Sequence, residues 1–118
     1  ISRLSTMGLP IYVTENGIPD DDDNQRPRAL LLHLHQMWRA IQNNYPVMGY
    51  YHWTLTDNFE WAEGWKLRFG LIELDPATQT RTPRPSADLY AEICRENGIS
   101  SEVVARYAPE VFNKLFPN

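Results

Sequence analysis

Residues 10–17 read PIYVTENG: an apolar, partly β-branched run, then one carboxylate, Glu15, then an Asn-Gly pair. Ile11, Tyr12, Val13 and Thr14 have the pattern of a short buried strand from Pro10 to Thr14, and Asn16-Gly17 is a turn signal that stops it. A solvated turn residue and a catalytic carboxylate presented at the rim of a sheet both fit this stretch. The choice between them depends on the rest of the chain.

The next segment, Asp20, Asp21, Asp22, Asp23 and Asn24, is polar and reads as a solvated loop tip. Pro27 suits the first turn of a helix, and Leu30, Leu34, Met37, Trp38 and Ile41 recur at three- and four-residue spacing as far as Asn43-Asn44. This pattern predicts an amphipathic helix of roughly four to five turns with those side chains in the core. Pro46 ends it, and the aromatic-rich run VMGYYHW, residues 47–53, reads as a second buried strand.

From Thr54 to Gly70 aromatics, carboxylates and glycine mix without helical or strand period, which marks a candidate functional loop. Gly70 to Leu74 followed by DPATQTRT predicts a small β-hairpin whose turn opens at Asp75-Pro76. Past Pro83 and Pro85, Ser86 can cap a helix with Leu89, Tyr90, Ile93 and Cys94 on its apolar face, closed by Gly98 after Asn97. A last helical stretch carries Val104, Tyr107, Val111 and Leu115 on one face. Strand, loop, helix, strand, long loop, helix makes two βα units, hence an α/β fold with a parallel sheet and ligands at the carboxyl ends of its strands. Glu15 and the loop after Trp53 both fall at those ends, which favours chemistry for both.

Bulk properties narrow the function classes. The 118 residues are 42% hydrophobic and 22% charged, the profile of one globular domain. A net charge of −4 argues against nucleic acid or an anionic membrane as partner. Cys94 is the only cysteine, so no internal disulfide forms and a cytoplasmic setting is favoured. His33 and His35 point to different faces of a helix and His52 stands alone, so no metal site is expected, and no cofactor. The chain starts at Ile1 without a charged n-region or long apolar run, and an N-terminus further upstream is expected.

PIYVTENG together with YYHWTLTDNFEWAEGWKLRFGLIELD, residues 50–75, resembles the last two strands of the family 1 glycoside hydrolases, the β-glucosidase type. The resemblance implies the C-terminal part of a (β/α)8 TIM barrel, with units 7 and 8 at about residues 9–97 and a helical extension at about 99–116. It makes Glu15 the nucleophile of a retaining mechanism, an ionised carboxylate that attacks the anomeric carbon while a second carboxyl about 5 Å away protonates the leaving oxygen. Trp53 resembles the indole that floors the glycone pocket; without the motif it would read as a core residue. Glu60 and Trp61 resemble the pair that bonds the glycone hydroxyls, a carboxylate being able to accept from two neighbouring hydroxyls at once. Phe69 resembles an aromatic lining the far side of that pocket, though packing alone would also explain it. Asp57, Asn58, Glu63 and Arg68 match the motif as well and read as loop scaffolding.

The resemblance also sets limits. Relatives that act on 6-phosphoglycosides replace the Glu60 position with a small residue, and a carboxylate there repels a phosphorylated sugar. A complete barrel takes roughly 250 residues or more, and the Asn-Glu-Pro motif that carries the acid/base residue is absent from this chain. The expectation is therefore part of a retaining β-glycosidase for terminal, non-phosphorylated β-D-glucosides or related β-glycosides. Its expected partners are the β-glycoside, the missing N-terminal part of the barrel and, for a chain with uncovered edges, further copies of itself. The alternative is a non-catalytic carbohydrate-binding or structural fragment.

Overall fold

Tyr12 and Tyr51 stay exposed in the folded chain, and the reason lies in how few strands the sheet has. The computed structural model describes residues 1–117. A short helix α1 (Ser2–Ser5) precedes strand β1 (Ile11–Asn16), the long helix α2 (Arg26–Gln42) and strand β2 (Val47–His52). The loop after β2 leads to a hairpin, β3 (Ile72–Leu74) and β4 (Arg81–Pro83), and then to helices α3 (Pro85–Glu96), α4 (Ser101–Tyr107) and α5 (Phe112–Leu115). β1 and β2 pair in parallel from Ile11 opposite Val47 to Asn16 opposite His52, with irregularities between Ile11 and Tyr12 and between Val13 and Asn16, and β3 and β4 pair antiparallel. The fold is α/β, with alternating strand–helix units of the kind that compose a (β/α) barrel. No helix among the described residues is long and apolar enough to cross a membrane.

The core lies on one side of the sheet. Leu30, Leu31 and Leu34 of α2 meet Leu89 and Ile93 of α3 and Val103, Val104, Ala108, Val111 and Leu115 of the C-terminal helices. Tyr50 and His52 of β2 face α3, their rings 6.4 and 5.9 Å from that of Tyr90. Strand alternation turns Tyr51 to the opposite face, where it is 60% exposed, and Tyr12, which pairs with Gly49 and lays its ring over it, is 55% exposed. The expectation of two buried strands is thus corrected. Two strands with helices on one side bury one face, and the other keeps its aromatic side chains in solvent.

Two further expectations change. Trp38 and Ile41 follow the helical period of α2, but they are 54% and 42% exposed because they line an open groove shared with Tyr90 and Cys94 of α3. The acidic segment is not a solvated tip throughout: Asp21 and Asp22 are exposed, whereas Asp20 and Asp23 are buried. The cause is the unsatisfied amides at two helix starts and one buried guanidinium. Asp20 accepts from the N–H groups of Gln25 and Arg26 at 2.9 and 2.7 Å, capping α2. Asp23 accepts from the Ser86 N–H at 2.8 Å, capping α3, and pairs with the fully buried Arg26. Ser86, expected to be the cap, sits inside α3 and receives one instead; the C-terminal stop does fall at Asn97, in the left-handed region at φ 48°.

Candidate active site

At the carboxyl end of β1, Asn16 ties the strand to its surroundings. Its Oδ1 lies 2.7 Å from His33 Nδ1 on α2 and accepts from the Tyr50 hydroxyl at 3.0 Å, and its carbonyl accepts from the Trp53 N–H at 3.0 Å. Burial and then the neighbouring Tyr90 raise the Tyr50 pKa beyond the ordinary phenol range, so this hydroxyl remains a donor. Glu15, which precedes Asn16 within the irregular stretch of β1 between Val13 and Asn16, is exposed. Gly17 follows because nothing larger fits: a Cβ there would lie 1.7 Å from the Trp53 carbonyl oxygen. The turn after Glu15 and the end of β2 are therefore in direct contact.

The loop from Thr54 to Gly70 carries the other candidate residues. Trp53, at its start, is half-buried and donates its indole N–H to Glu60 Oε1 at 3.1 Å. Asn58 Nδ2 donates to the same oxygen at 2.7 Å. Trp61 opens a short 3-10 turn with φ 46° and is 86% exposed. Phe69 is half-buried, and its carbonyl accepts from the Thr54 N–H at 3.3 Å, which sets it beside the end of β2. The structure thus brings Trp53 and Glu60 into contact, places Glu15 and Phe69 at the same sheet end, and leaves Trp61 outside.

The base of this loop is held by Asp57, which is 2% exposed. It receives bonds from the Gly70 N–H at 2.8 Å, the Leu74 N–H at 3.3 Å and the Arg84 guanidinium at 3.1 and 3.0 Å. Burial pushes its pKa up, but the Arg84 bonds, the Gly70 amide, the Arg84 charge and the Leu74 amide outweigh it and hold the carboxyl below the usual carboxylate range. Arg84 also donates to the Gly70 carbonyl at 2.8 Å, and a Cβ on Gly70 would stand 2.3 Å from the Asp57 nitrogen. At the loop's far end the Arg68 carbonyl accepts from the Asp20 N–H at 2.9 Å and from Arg26 at 2.7 Å, so the acidic segment holds the loop as well as two helices. Sequence reading assigned Asp57 to scaffolding but missed its partner Arg84, which stands between two prolines with no local signal of its role. It also missed the contact that Asn58 makes.

No group of three or more His, Cys, Asp or Glu among the described residues is arranged to hold a metal ion. A groove of about 720 Å³, lined by Met37, Trp38, Ile41, Tyr90, Cys94 and Phe116 among others, lies on the helix side and includes none of the candidate residues.

These features have close counterparts. Over 96 residues the chain is 51% identical to the beta-galactosidase of Sulfolobus acidocaldarius, covering 81% of this chain and 20% of that protein. Over 98 residues it is 41% identical to beta-glucosidase A of Thermotoga maritima, covering 75% of this chain and 22% of that one. Its fold matches the solved beta-glycosidase from Pyrococcus horikoshii with a TM-score of 0.86 at 43% identity, over 90% of this chain and 25% of that one. The chain spans about a fifth of the length of the curated relatives it matches. The family profile described as Glycosyl hydrolase family 1 matches residues 3–99, and the chain belongs to that family.

Proposed function

We propose that this chain forms the seventh and eighth βα units of a (β/α)8 retaining β-glycosidase and supplies its nucleophile, Glu15. The observation that carries this reading is the Glu60 carboxylate held by the Trp53 indole at the carboxyl end of β2, next to the strand end that bears Glu15, in a member of this family. Glu15 attacks the anomeric carbon as the bond to the leaving oxygen breaks; a carboxylic acid from the rest of the barrel gives that oxygen its proton. The same group then draws a proton from water, whose oxygen displaces Glu15 and releases the sugar with its configuration retained. Trp53 offers a flat apolar floor to the pyranose, Glu60 accepts from its hydroxyls, and Phe69 borders the pocket. Trp61, exposed in this chain, completes the pocket against the remaining units.

The substrates are terminal, non-phosphorylated β-glycosides. Support comes from the carboxylate at Glu60, which repels a phosphate, and from relatives named as β-galactosidase and β-glucosidase. The partner is the rest of the barrel, which covers the face bearing Tyr12 and Tyr51.

The test replaces the matching segment of the Sulfolobus acidocaldarius relative with this chain and assays a p-nitrophenyl β-glycoside. The chimera should turn over, and Glu15→Gln should abolish turnover, since the amide has nearly the same shape but is a poor nucleophile. In Glu15→Gly, which vacates the carboxylate's place, azide should restore release of p-nitrophenol. Near-normal turnover by Glu15→Gln would remove Glu15 from this role.

A further inference from the structure

We propose that Asn58 is a positioning residue for Glu60, one that fixes which carboxylate oxygen meets the glycone; this rests on the glycosidase reading above. Both donors that reach Glu60, Asn58 Nδ2 at 2.7 Å and Trp53 Nε1 at 3.1 Å, end on Oε1. Among the described residues no hydrogen bond reaches Oε2. One oxygen is therefore committed to the protein, and the other keeps its lone pairs for two neighbouring hydroxyls.

The rest of the Asn58 side chain argues that this contact is its purpose. Its Oδ1 is buried without a hydrogen-bond partner. An amide kept for loop folding has both ends satisfied, because an orphaned buried acceptor is costly. Asn58 leaves one end open and makes its one side-chain bond to Glu60. Its backbone is anchored from the adjacent Asp57, which is bonded to Arg84, Gly70 and Leu74. On the other side the Glu60 N–H bonds the Gly64 carbonyl at 2.8 Å. Donor and acceptor are thus each fixed by separate backbone contacts. Aspartate has the same shape, but it would set a second anion against Glu60.

The experiment uses the whole chain in the chimera described above. Asn58→Ala and Asn58→Asp should each lower kcat/KM for the aryl glycoside about tenfold or more, the size expected for one bond to a charged group. Asp should lose at least as much as Ala, since it keeps the volume and removes the donor. In a Glu60→Ala background Asn58→Ala should cost nothing further, because the two act as one unit. The Trp53 indole N–H resonance, observed with ¹⁵N-labelled tryptophan, should shift in both Asn58 variants. An Asn58→Asp enzyme as active as the wild type would assign the residue to packing and overturn the proposal. So would an Asn58→Ala loss that persists unchanged without Glu60. A chimera in which Glu15→Gln stays active refutes the glycosidase reading instead, and the indole shift still reports whether Asn58 holds Glu60.

Discussion

Replacing Asp57 by alanine should damage the protein more than replacing its partner Arg84, and the asymmetry follows from what each leaves behind. Without Asp57, Arg84, which is 5% exposed, keeps one neutral acceptor, the Gly70 carbonyl at 2.8 Å, and a distant, exposed Asp21 at 4.0 Å. A buried charge stripped of its partner typically costs about 3–5 kcal/mol. Without Arg84, Asp57 still accepts from the Gly70 and Leu74 amides at 2.8 and 3.3 Å and has Arg68 at 3.6 Å, so the loss is that of charge-assisted bonds, about 1.5–3 kcal/mol. The assay is amide hydrogen exchange in the chimera, read at the Gly70 and Leu74 N–H groups. Asp57→Ala should accelerate exchange there by about a hundredfold or more, since each 1.4 kcal/mol is a factor of ten. Arg84→Ala should fall short of that. Glycosidase activity should drop in step, because Glu60 sits on the loop whose base opens. An Asp57→Ala protein with unchanged exchange, or an Arg84→Ala protein that exchanges faster than it, would refute this account of the loop's anchorage.

Glu60→Ser should lower kcat/KM for a plain β-glucoside through lost bonds of about 1.5–3 kcal/mol each, and should shift the preference toward the 6-phosphorylated sugar as repulsion is removed. An unchanged ratio of kcat/KM for the two substrates would place Glu60 outside the glycone pocket. His52 is held down to about pKa 4 by burial and then by the Arg26 charge, against an ordinary 6.5. Between those values the unfolded chain binds the proton and the folded one does not, so stability should fall as pH drops from about 6.5 to 4. His52→Phe should flatten that slope in denaturation measured across the window, and an identical slope in both proteins would count against a buried neutral imidazole. The loss from Asp57, whose pKa is lowered from 3.8, belongs to more acid solution, so the two contributions separate by pH.

What the sequence made legible was local. PIYVTENG and residues 50–75 carry their strand ends, turn residues and motif within a few positions, and the two βα units, the hairpin and α3 followed from spacing alone. What it hid was pairing across distance. Nothing near Asp23 says that its carboxylate will cap a helix beginning at Pro85, and nothing near Arg84 says that its partner lies at Asp57. Run together, Asp20 to Asp23 look like solvated charge, because the buried guanidinium and the two helix starts that turn half of them inward lie at Arg26 and Ser86. Trp38 failed for a related reason: helical period gives the face, but how closely neighbouring helices pack against that face is a tertiary fact.

The two carboxylates of the proposed site are held in different ways, and on the proposed reading this divides the molecule's dependence on the rest of the barrel. Glu60 is positioned wholly from within the chain: Trp53 and Asn58 fix its Oε1, and the Asp57–Arg84 network and the Arg68 contacts hold both ends of its loop. Glu15 has its backbone secured through Asn16 and the close contact at Gly17, while its side chain is exposed at the end of a sheet whose face bearing Tyr12 and Tyr51 is open. Closing that face with further strands adds little to the order of the Glu60 loop, but it sets the surroundings of the proposed nucleophile. On the proposed reading, substitutions on the helix side would therefore act on the glycone half through loop geometry, and changes to the open face would act on the chemical step.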